Sequence, residues 1–554
     1  MEFVDLIKTH MVKTVTLHRP FTPVLEGTLC ITGHHLIISS RSDNHAEELW
    51  LLHNNIDSVE KKLVGSGGYL TLKCKDFLVF HLKIPSAEDC INVAQTVEAL
   101  SNIDDLTLRY PFFYRPDFDV LQCGWQAFSA EAEFNKFKKH LDDWSPWRIS
   151  YLNKDFKVCP TYPQAVLVPK SIDDEVIKKA AMFRQGGRFP TLSYYHRESK
   201  SVLMRSSQPL TGTNGKRCKE DEQLVNAVMG MGRRGYIVDT RSPKLAGGGV
   251  ELEAHYPQWR RIHTRIERKQ AFHDSLIKLV EACNDNSMDK WLSKLESSNW
   301  LTHVKDIITS ACVVAQSMDK DNMSVLVHGS EGIDTTLLVT SLSQVILDHD
   351  CRTVTGFEAV IEREWIQAGH PFRTRCNKSA FAITKQRLES PVFLLFLDCV
   401  WQIWQQFPCS FEFNEKFLVT LFQHAYSSQF GTFMCNNEAE RYRFKVSERT
   451  VSLWSFLNRP EELQGLMNPM YEPNPSVIWP SVAPQSLGVW TGLYLKGIIN
   501  QAPQDEAWKE VHKIREYDKE LRAKVIKLRR NINALEKEAM AQGVVISPEI
   551  EASN

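Results

Sequence analysis

The sequence predicts a large α/β domain, a central mixed sheet flanked by helices, with a small β-barrel before it and a coiled-coil helix after it. Three observations lead there. Short strand-like segments fill the first hundred or so residues and close on one helical pattern. Strand-like and helix-like segments then alternate to about residue 500. The last segment carries a continuous a/d heptad stripe.

Bulk properties set the frame. The chain has 554 residues, 43% hydrophobic and 24% charged, with a net charge of -1. That length exceeds one hydrophobic core and predicts two or three domains. The charge balance gives no case for binding nucleic acid. No apolar run approaches the length of a membrane span, about 18 residues. The longest, "PVFLLFLDCVWQIW", is interrupted by Asp398 and reads as core. The start, "MEFVDLIKTH", lacks the pattern of a secretory signal. The 13 cysteines are scattered with no Cys-x-x-Cys pair. This predicts neither a metal site, a cofactor nor a disulfide framework, and points to the reducing cytoplasm.

In the first region, "GTLCITGHHLIISS" (27–40), "ELWLLH" (48–53), "YLTLKC" (69–74) and "FLVFHLKI" (77–84) read as strands between Gly, Asn and Ser turns. "SAEDCINVAQTVEALSNI" reads as a helix, with Ser86 as N-cap and Glu88 and Asp89 in its first turn. Strands closed by one C-terminal helix predict a barrel of the pleckstrin-homology (PH) type. This domain is placed at 1–103, a polar and aromatic linker at 104–122, the α/β domain at 123–500 and the coiled coil at 505–542.

The coiled coil is read from Val511, Ile514, Asp518, Leu521, Val525, Leu528, Ile532, Leu535 and Ala539, spaced alternately three and four apart. Asp518 is a polar interruption that fixes register at some cost in stability. Arg515, Arg522 and Arg529 fall at e positions, and Glu510, Lys524 and Asn531 at g. A parallel homodimer sets Lys524 against Arg529; an antiparallel one sets Arg522 against Arg529. A homodimer remains open, but the charges favour a different partner helix with acidic central positions, although each exposed pair contributes little.

The segment "SVLVHGSEGIDTTLLVTSL" (324–342) carries the chemistry. "SVLVHG" predicts a central parallel strand, and "TTLLVTSLSQVILD" a helix. The loop between them sits at a helix N-terminus, where backbone N–H groups and the helix dipole favour an anion. A nucleotide phosphate loop needs Gly-Lys-Ser/Thr at its end; positions 334 and 335 are Asp and Thr, so that reading fails. Cysteine phosphatases use the same layout with His-Cys, five residues and Arg. Their thiolate attacks phosphorus and their guanidinium clamps its oxygens. Here Gly329 follows His328, and Thr335 stands in the Arg slot.

"VHGSEGIDTT" resembles the myotubularin loop, Val-His-Cys-Ser-Asp-Gly-Trp-Asp-Arg-Thr. His328, Ser330, Gly332, Asp334 and Thr336 match, while Gly329, Glu331, Ile333 and Thr335 depart from it. "WRIS" (147–150), "TYP" (161–163), "RFPTLSY" (188–194) and "SSQPLTG" (206–212) resemble the family's N-terminal blocks. "GFEAVIEREWIQAGHPF" (356–372), "SPVFLLFLDCVWQIWQQFPCSFEFNEKFL" (390–418), "FGTF" (430–433), "SLWSFLN" (452–458) and "IWP" (478–480) resemble its C-terminal ones. The resemblance implies a PH-GRAM domain, an inactive cysteine-phosphatase-like domain and a coiled coil. No Cys/His cluster follows, so the zinc-binding FYVE module of some relatives is absent.

The implied role is that of a pseudophosphatase adaptor. Inactive myotubularins form heteromers with active ones, which remove the 3-phosphate from phosphatidylinositol 3-phosphate and 3,5-bisphosphate. The implied partners are the active members six, seven and eight, engaged through the coiled coil. The implied location is cytoplasmic and perinuclear, with peripheral association to endoplasmic reticulum or endosomal membranes. Two other readings stand beside it. One is relocated acid–base chemistry on His328, Glu331 and Asp334, although Asp334 has the simpler reading of a helix cap. The other is weak binding of phosphoinositide membranes, through the N-terminal barrel more than through the loop.

Overall fold

The computed structural model describes residues 3–42, 45–120, 123–138, 146–212, 215–229, 234–241, 254–264, 266–285, 290–382 and 388–543. The end of the expected linker, 121–122, lies outside them. The chain forms two compact units, Met1–Ile499 and Asn500–Asn554.

The first unit begins with a curled seven-stranded antiparallel sheet, in the order β4-β3-β2-β1-β7-β6-β5. The strands are β1 (Met11–His18), β2 (Leu25–Ile31), β3 (His35–Ser42), β4 (His45–Leu52), β5 (Ile56–Val64), β6 (Gly67–Cys74) and β7 (Val79–Ile84). The expected strand at 27–40 is a hairpin: β2 and β3 pair antiparallel around Thr32–His34. β1 and β5 are strands the sequence reading missed.

Alternation along β6 and β7 sends Leu70, Leu72, Leu82 and Ile84 inward. The helix Ala87–Ser101 covers this face with Cys90, Val93, Ala94, Val97 and Leu100, spaced three and four apart. Its cap is the expected one: Ser86 Oγ accepts from the Asp89 N–H at 3.2 Å. The PH-like fold and its closing helix are both present.

This sheet is fastened to the α/β body. Phe77, in the β6–β7 turn, lies in the body's core, stacked on Phe422 at 5.3 Å and tilted against Tyr494 at 5.7 Å. The Asp57 carboxylate accepts the backbone N–H groups of Ser379 and Phe381, each at 3.1 Å. Ser379 Oγ donates back to the Lys75 carbonyl. Lys75 is fully buried there, and burial pulls its pKa down to about 7 against the opposing charge of Asp57.

The body holds a two-stranded sheet, β8 (Trp147–Ser150) with β9 (Val166–Pro169), and a mixed five-stranded one. The second has the order β10-β11-β14-β12-β13: β10 (Thr191–His196), β11 (Ser201–Ser207), β12 (Gly235–Asp239), β13 (Trp259–His263) and β14 (Ser324–Gly329). β10 runs antiparallel to β11; the remaining neighbours are parallel. β14 is central and buried at all six residues, as "SVLVHG" predicts.

Helices Trp300–Asp319, Thr335–Leu347 and Val392–Gln406 share the main core with this sheet. Val392–Gln406 is buried from Val392 to Trp404. Its one charge, Asp398, accepts from Trp300 Nε1 at 2.7 Å, Gln402 Nε2 at 2.9 Å and Tyr494 Oη at 3.0 Å. Burial still pushes its pKa up to about 6.

The second unit is one helix, Ala502–Ala541. Ile514, Leu521, Val525, Leu528, Ile532 and Leu535 are 41–63% exposed, so the apolar stripe has no cover in the single chain. Asp518, at an a position, pairs with Arg522 at 2.8 Å, one turn on. Among the described residues, no helix is long and apolar enough to cross a membrane.

Candidate functional site

β14 leaves the sheet between β11 and β12, at the carboxyl ends of three parallel strands. Ligands bind at such positions in open α/β sheets. The register sets Ser206 and Asp239 beside His328, and Ser207 beside Gly329. The chain then turns through Ser330–Asp334 into the helix Thr335–Leu347.

The turn depends on close backbone approach. Gly332 has φ 66°, and a Cβ there would lie 2.5 Å from the Ser206 carbonyl oxygen. Only glycine meets both conditions without strain. Arg188 holds the same residue from outside: Nη2 donates to the Gly332 carbonyl at 2.8 Å and Nη1 to Thr161 Oγ1 at 2.7 Å. Its guanidinium stacks over the Tyr162 ring at 4.5 Å. The Gln208 N–H donates to the Ser330 carbonyl at 3.3 Å. Ile333 packs on the main core, and Glu331 points to solvent.

Asp334 is not the side-chain cap expected of it. Its backbone is left-handed (φ 53°), and the carboxylate makes no bond to the helix N-terminus. It takes two bonds from Arg375 instead, at 3.1 and 2.9 Å. Burial alone would raise its pKa; the Arg375 charge and hydrogen bonds hold it below the usual carboxylate value. His370 lies 3.7 Å from the same carboxylate, with both ring nitrogens buried and unbonded. Burial pulls its pKa down to about 3.

His328 is wholly buried and neither ring nitrogen has a hydrogen bond. Burial takes its pKa down to about 4 against the pull of Asp239, 4.0 Å away. Asp239 is ion-paired with Arg241 and Arg261, both at 2.7 Å. His328, Glu331 and Asp334 therefore do not form one acid–base set: one is sealed in the sheet, one is in solvent and one is held by arginine.

At Gly329 a side chain meets a ring of hydroxyls. A Cβ there would lie 2.9 Å from Thr240 Oγ1, 3.0 Å from Thr336 Oγ1 and 3.3 Å from Thr335 Oγ1. Thr240 and Thr335 are hydrogen-bonded to each other at 2.9 Å, and Thr240 Oγ1 donates to the His328 carbonyl at 3.2 Å. The space a nucleophile needs is thus bounded by three threonines. Nearby guanidiniums serve protein acceptors: Arg184 is bidentate on buried Asp221 and donates to the Ser207 carbonyl, and Arg241 is bidentate on Asp239.

The sequence reading missed Arg188, Thr240 and Arg375. Arg188 opens the quoted block "RFPTLSY", the one signal available for it. Thr240 and Arg375 are distant in sequence and reach the loop only through the fold.

A buried parallel strand, a five-residue turn and a helix at the carboxyl edge of a mixed sheet define a cysteine-phosphatase-like α/β domain. The chain belongs to the myotubularin family. The myotubularin-like phosphatase domain matches residues 109–442, and the GRAM domain of myotubularin-related proteins 6 to 9 matches residues 9–101. Myotubularin-related protein 9 of Homo sapiens is 60% identical over 546 residues, 97% of this chain and 99% of the relative. The protein of the same name from Caenorhabditis elegans is 42% identical over 572 residues, 97% and 99% of the two chains. Phosphatidylinositol-3,5-bisphosphate 3-phosphatase MTMR6 of Homo sapiens is 36% identical over 540 residues, 94% and 85%.

Two predictions follow from this geometry. Gly329→Cys destabilises the chain by about 1–3 kcal/mol, as overpacking does. Thr240→Ala in the same chain recovers part of the loss, read from urea midpoints of the four variants in a double-mutant cycle. Additive effects would show that the two positions do not meet.

The histidines give the second. His328 and His370 are neutral in the folded chain, while the unfolded chain protonates below its ordinary value of 6.5. Falling pH therefore favours unfolding, by about 2 kcal/mol per histidine between pH 6.5 and 5. His370→Phe should show a smaller loss of stability than the parent over that interval. An unchanged slope would mean that His370 takes up its proton in the fold at the same pH as in the unfolded chain.

Proposed function

We propose that this chain is a catalytically inactive myotubularin that acts as an adaptor. It pairs through the helix Ala502–Ala541 with active phosphoinositide 3-phosphatases of the family and raises their activity or stability. The observation that carries this reading is Gly329. The position that must supply a thiolate has no side chain, and nucleophilic catalysis loses orders of magnitude without its nucleophile. Thr335 adds no charge where the phosphate clamp belongs, and Arg188 and Arg375 are committed to holding the loop.

The partner reading rests on the uncovered stripe from Ile514 to Leu535. Lys524 and Arg529 have no ion-pair partner among the described residues and favour an acidic counterpart over a second copy of the chain. The Asp518–Arg522 pair partly offsets that preference. Relatives named as phosphatases include MTMR6, MTMR7 and MTMR8; these are the proposed partners, at cytoplasmic, perinuclear, endoplasmic reticulum or endosomal membranes. Co-purification with each, with and without residues 505–542, tests the reading alongside a lipid phosphatase assay. Binding and stimulation should vanish with the tail, and the chain alone should release no phosphate. Phosphate release by the chain alone, or binding indifferent to the tail, would overturn it.

One surface supports weak membrane contact as well. At the tip of the β5–β6 hairpin Leu63 and Val64 are 49% and 51% exposed, next to Lys61 and Lys62. Tyr69 lies across from both Lys62 and Lys83. Apolar tips beside lysines suit an anionic lipid surface. The full chain should float with phosphoinositide vesicles more than with neutral ones, and Leu63→Glu with Val64→Glu should abolish the difference. Equal flotation on both vesicle types counts against it.

A further inference from the structure

A cleft of about 630 Å³ opens in the α/β body, away from the loop. It lies between residues 125–131 and 151–165 on one side and 362–367 with 438–447 on the other. Its volume is that of a small-molecule site. Three carboxylates line it: Glu131, Glu362 and Glu438.

Glu362 is placed there by a break in helix geometry. Glu362–Ile366 is a π turn, closed by the Gln367 N–H on the Glu362 carbonyl at 2.8 Å. Such turns recur at functional sites. Within it Glu364 reaches Thr340 Oγ1, at 2.8 Å, and Arg205, at 3.4 Å, while Glu362 lines the cleft. Glu362 is 8% exposed. One oxygen accepts from Trp454 Nε1 at 2.6 Å; the other has no partner among the described residues. Glu362 thus keeps one carboxylate oxygen free to accept from a donor placed in the cleft.

The other two acids also have partners on the protein. Glu438 Oε1 accepts the Gln164 N–H at 3.2 Å, and Glu131 Oε1 accepts from Tyr151 Oη at 2.6 Å. Burial raises the pKa of Glu362 and of Glu438, and each has a neighbouring carboxylate that raises it further, Glu438 for the first and Glu131 for the second. Arg441, three residues after Glu438 on the same wall, offsets this in part; it lies over the Trp125 ring and donates to the Thr432 carbonyl at 2.7 Å. Lys154 is exposed at the rim.

An anion is disfavoured by three carboxylates. A bare divalent ion is disfavoured too, because these acids are not among the described groups whose ligand atoms come within 4.8 Å of one another. The walls are aromatic: Trp125, Phe128, Tyr151 and Tyr442 line the same space. Carboxylates set among aromatic faces suit an extended organic cation, which takes charge pairing from the first and cation–π contact from the second.

We propose that this cleft binds an alkylammonium or guanidinium group, its N–H donors directed at Glu362 and Glu438 and its carbon chain against the aromatic wall. A free polyamine and a basic side chain of a partner peptide present the same chemistry.

The test is calorimetric titration of the full chain with spermidine and, separately, with a capped tri-lysine peptide, at low salt. Saturable one-site binding of either probe is expected, at least about tenfold weaker in Glu438→Gln. Glu281→Gln, which removes an exposed acid outside the cleft and outside the loop, should bind as the parent does. Spermidine alone binding assigns a free polyamine; tri-lysine alone binding assigns a peptide. Glu362→Gln is the sharper variant, and if it fails to fold, Tyr442→Ala, on the exposed wall, takes its place with the same expected loss. No saturable binding of either probe overturns the proposal. So does binding that Glu438→Gln and Tyr442→Ala leave unchanged, or that Glu281→Gln weakens equally.

Discussion

The buried pair between Asp334 and Arg375 is the constraint on which the loop depends. It fixes where the turn after β14 ends and where the helix Thr335–Leu347 begins. Such a pair adds little net stability, since two charges lose their hydration. Breaking it is another matter: a lone buried carboxylate costs about 3–5 kcal/mol. Geometry is therefore enforced by the cost of leaving it. Arg375 also donates to the Leu388 carbonyl at 2.6 Å, so the same guanidinium ties the loop to the segment before Val392–Gln406. With Arg188 on the Gly332 carbonyl, two arginines from outside the loop hold its middle and its last residue.

That arrangement explains how the turn stays ordered without a phosphate-binding residue at 335. The groups that shape the loop differ from the groups that do chemistry in a cysteine phosphatase. Gly332, Arg188, Asp334 and Arg375 belong to the first set and are all engaged. Gly329 and Thr335 bring neither a thiol nor a guanidinium to the loop. Thr335 does not leave a gap; its hydroxyl bonds Thr240, and the two close over Gly329. The two departures are thus coupled through one hydroxyl pair.

Much of this was legible in the sequence where a local pattern carries it. β14 shows as an apolar run before a Gly-containing turn, and the terminal helix as a 3.5-residue period. What was missed has physical reasons. β1 carries a bulge between Val12 and Val15, with Thr14 at φ 54°, which breaks the alternation. β5 lies at a sheet edge, and its "EKK" run reads as a solvated turn. The π turn at Glu362 leaves no trace in "GFEAVIEREWIQ", whose pattern fits an unbroken helix. Asp334 is legible as a helix start, but its partner lies 41 residues on and is reached only through the fold.

The PH-like sheet and the α/β body then follow a common logic. Phe77 enters the main core and Asp57 takes two N–H groups from the body, so the two parts bury a shared surface instead of meeting across a flexible linker. The hairpin tip at Leu63 and Val64 is consequently carried on a rigid mount, its turn tied to the helix Ala87–Ser101 by the Ala87 N–H on the Ser66 carbonyl at 2.8 Å. A rigid mount sets the orientation of the whole α/β body wherever that tip is held. Such a mount lets one surface contact fix the direction in which the rest of the body faces.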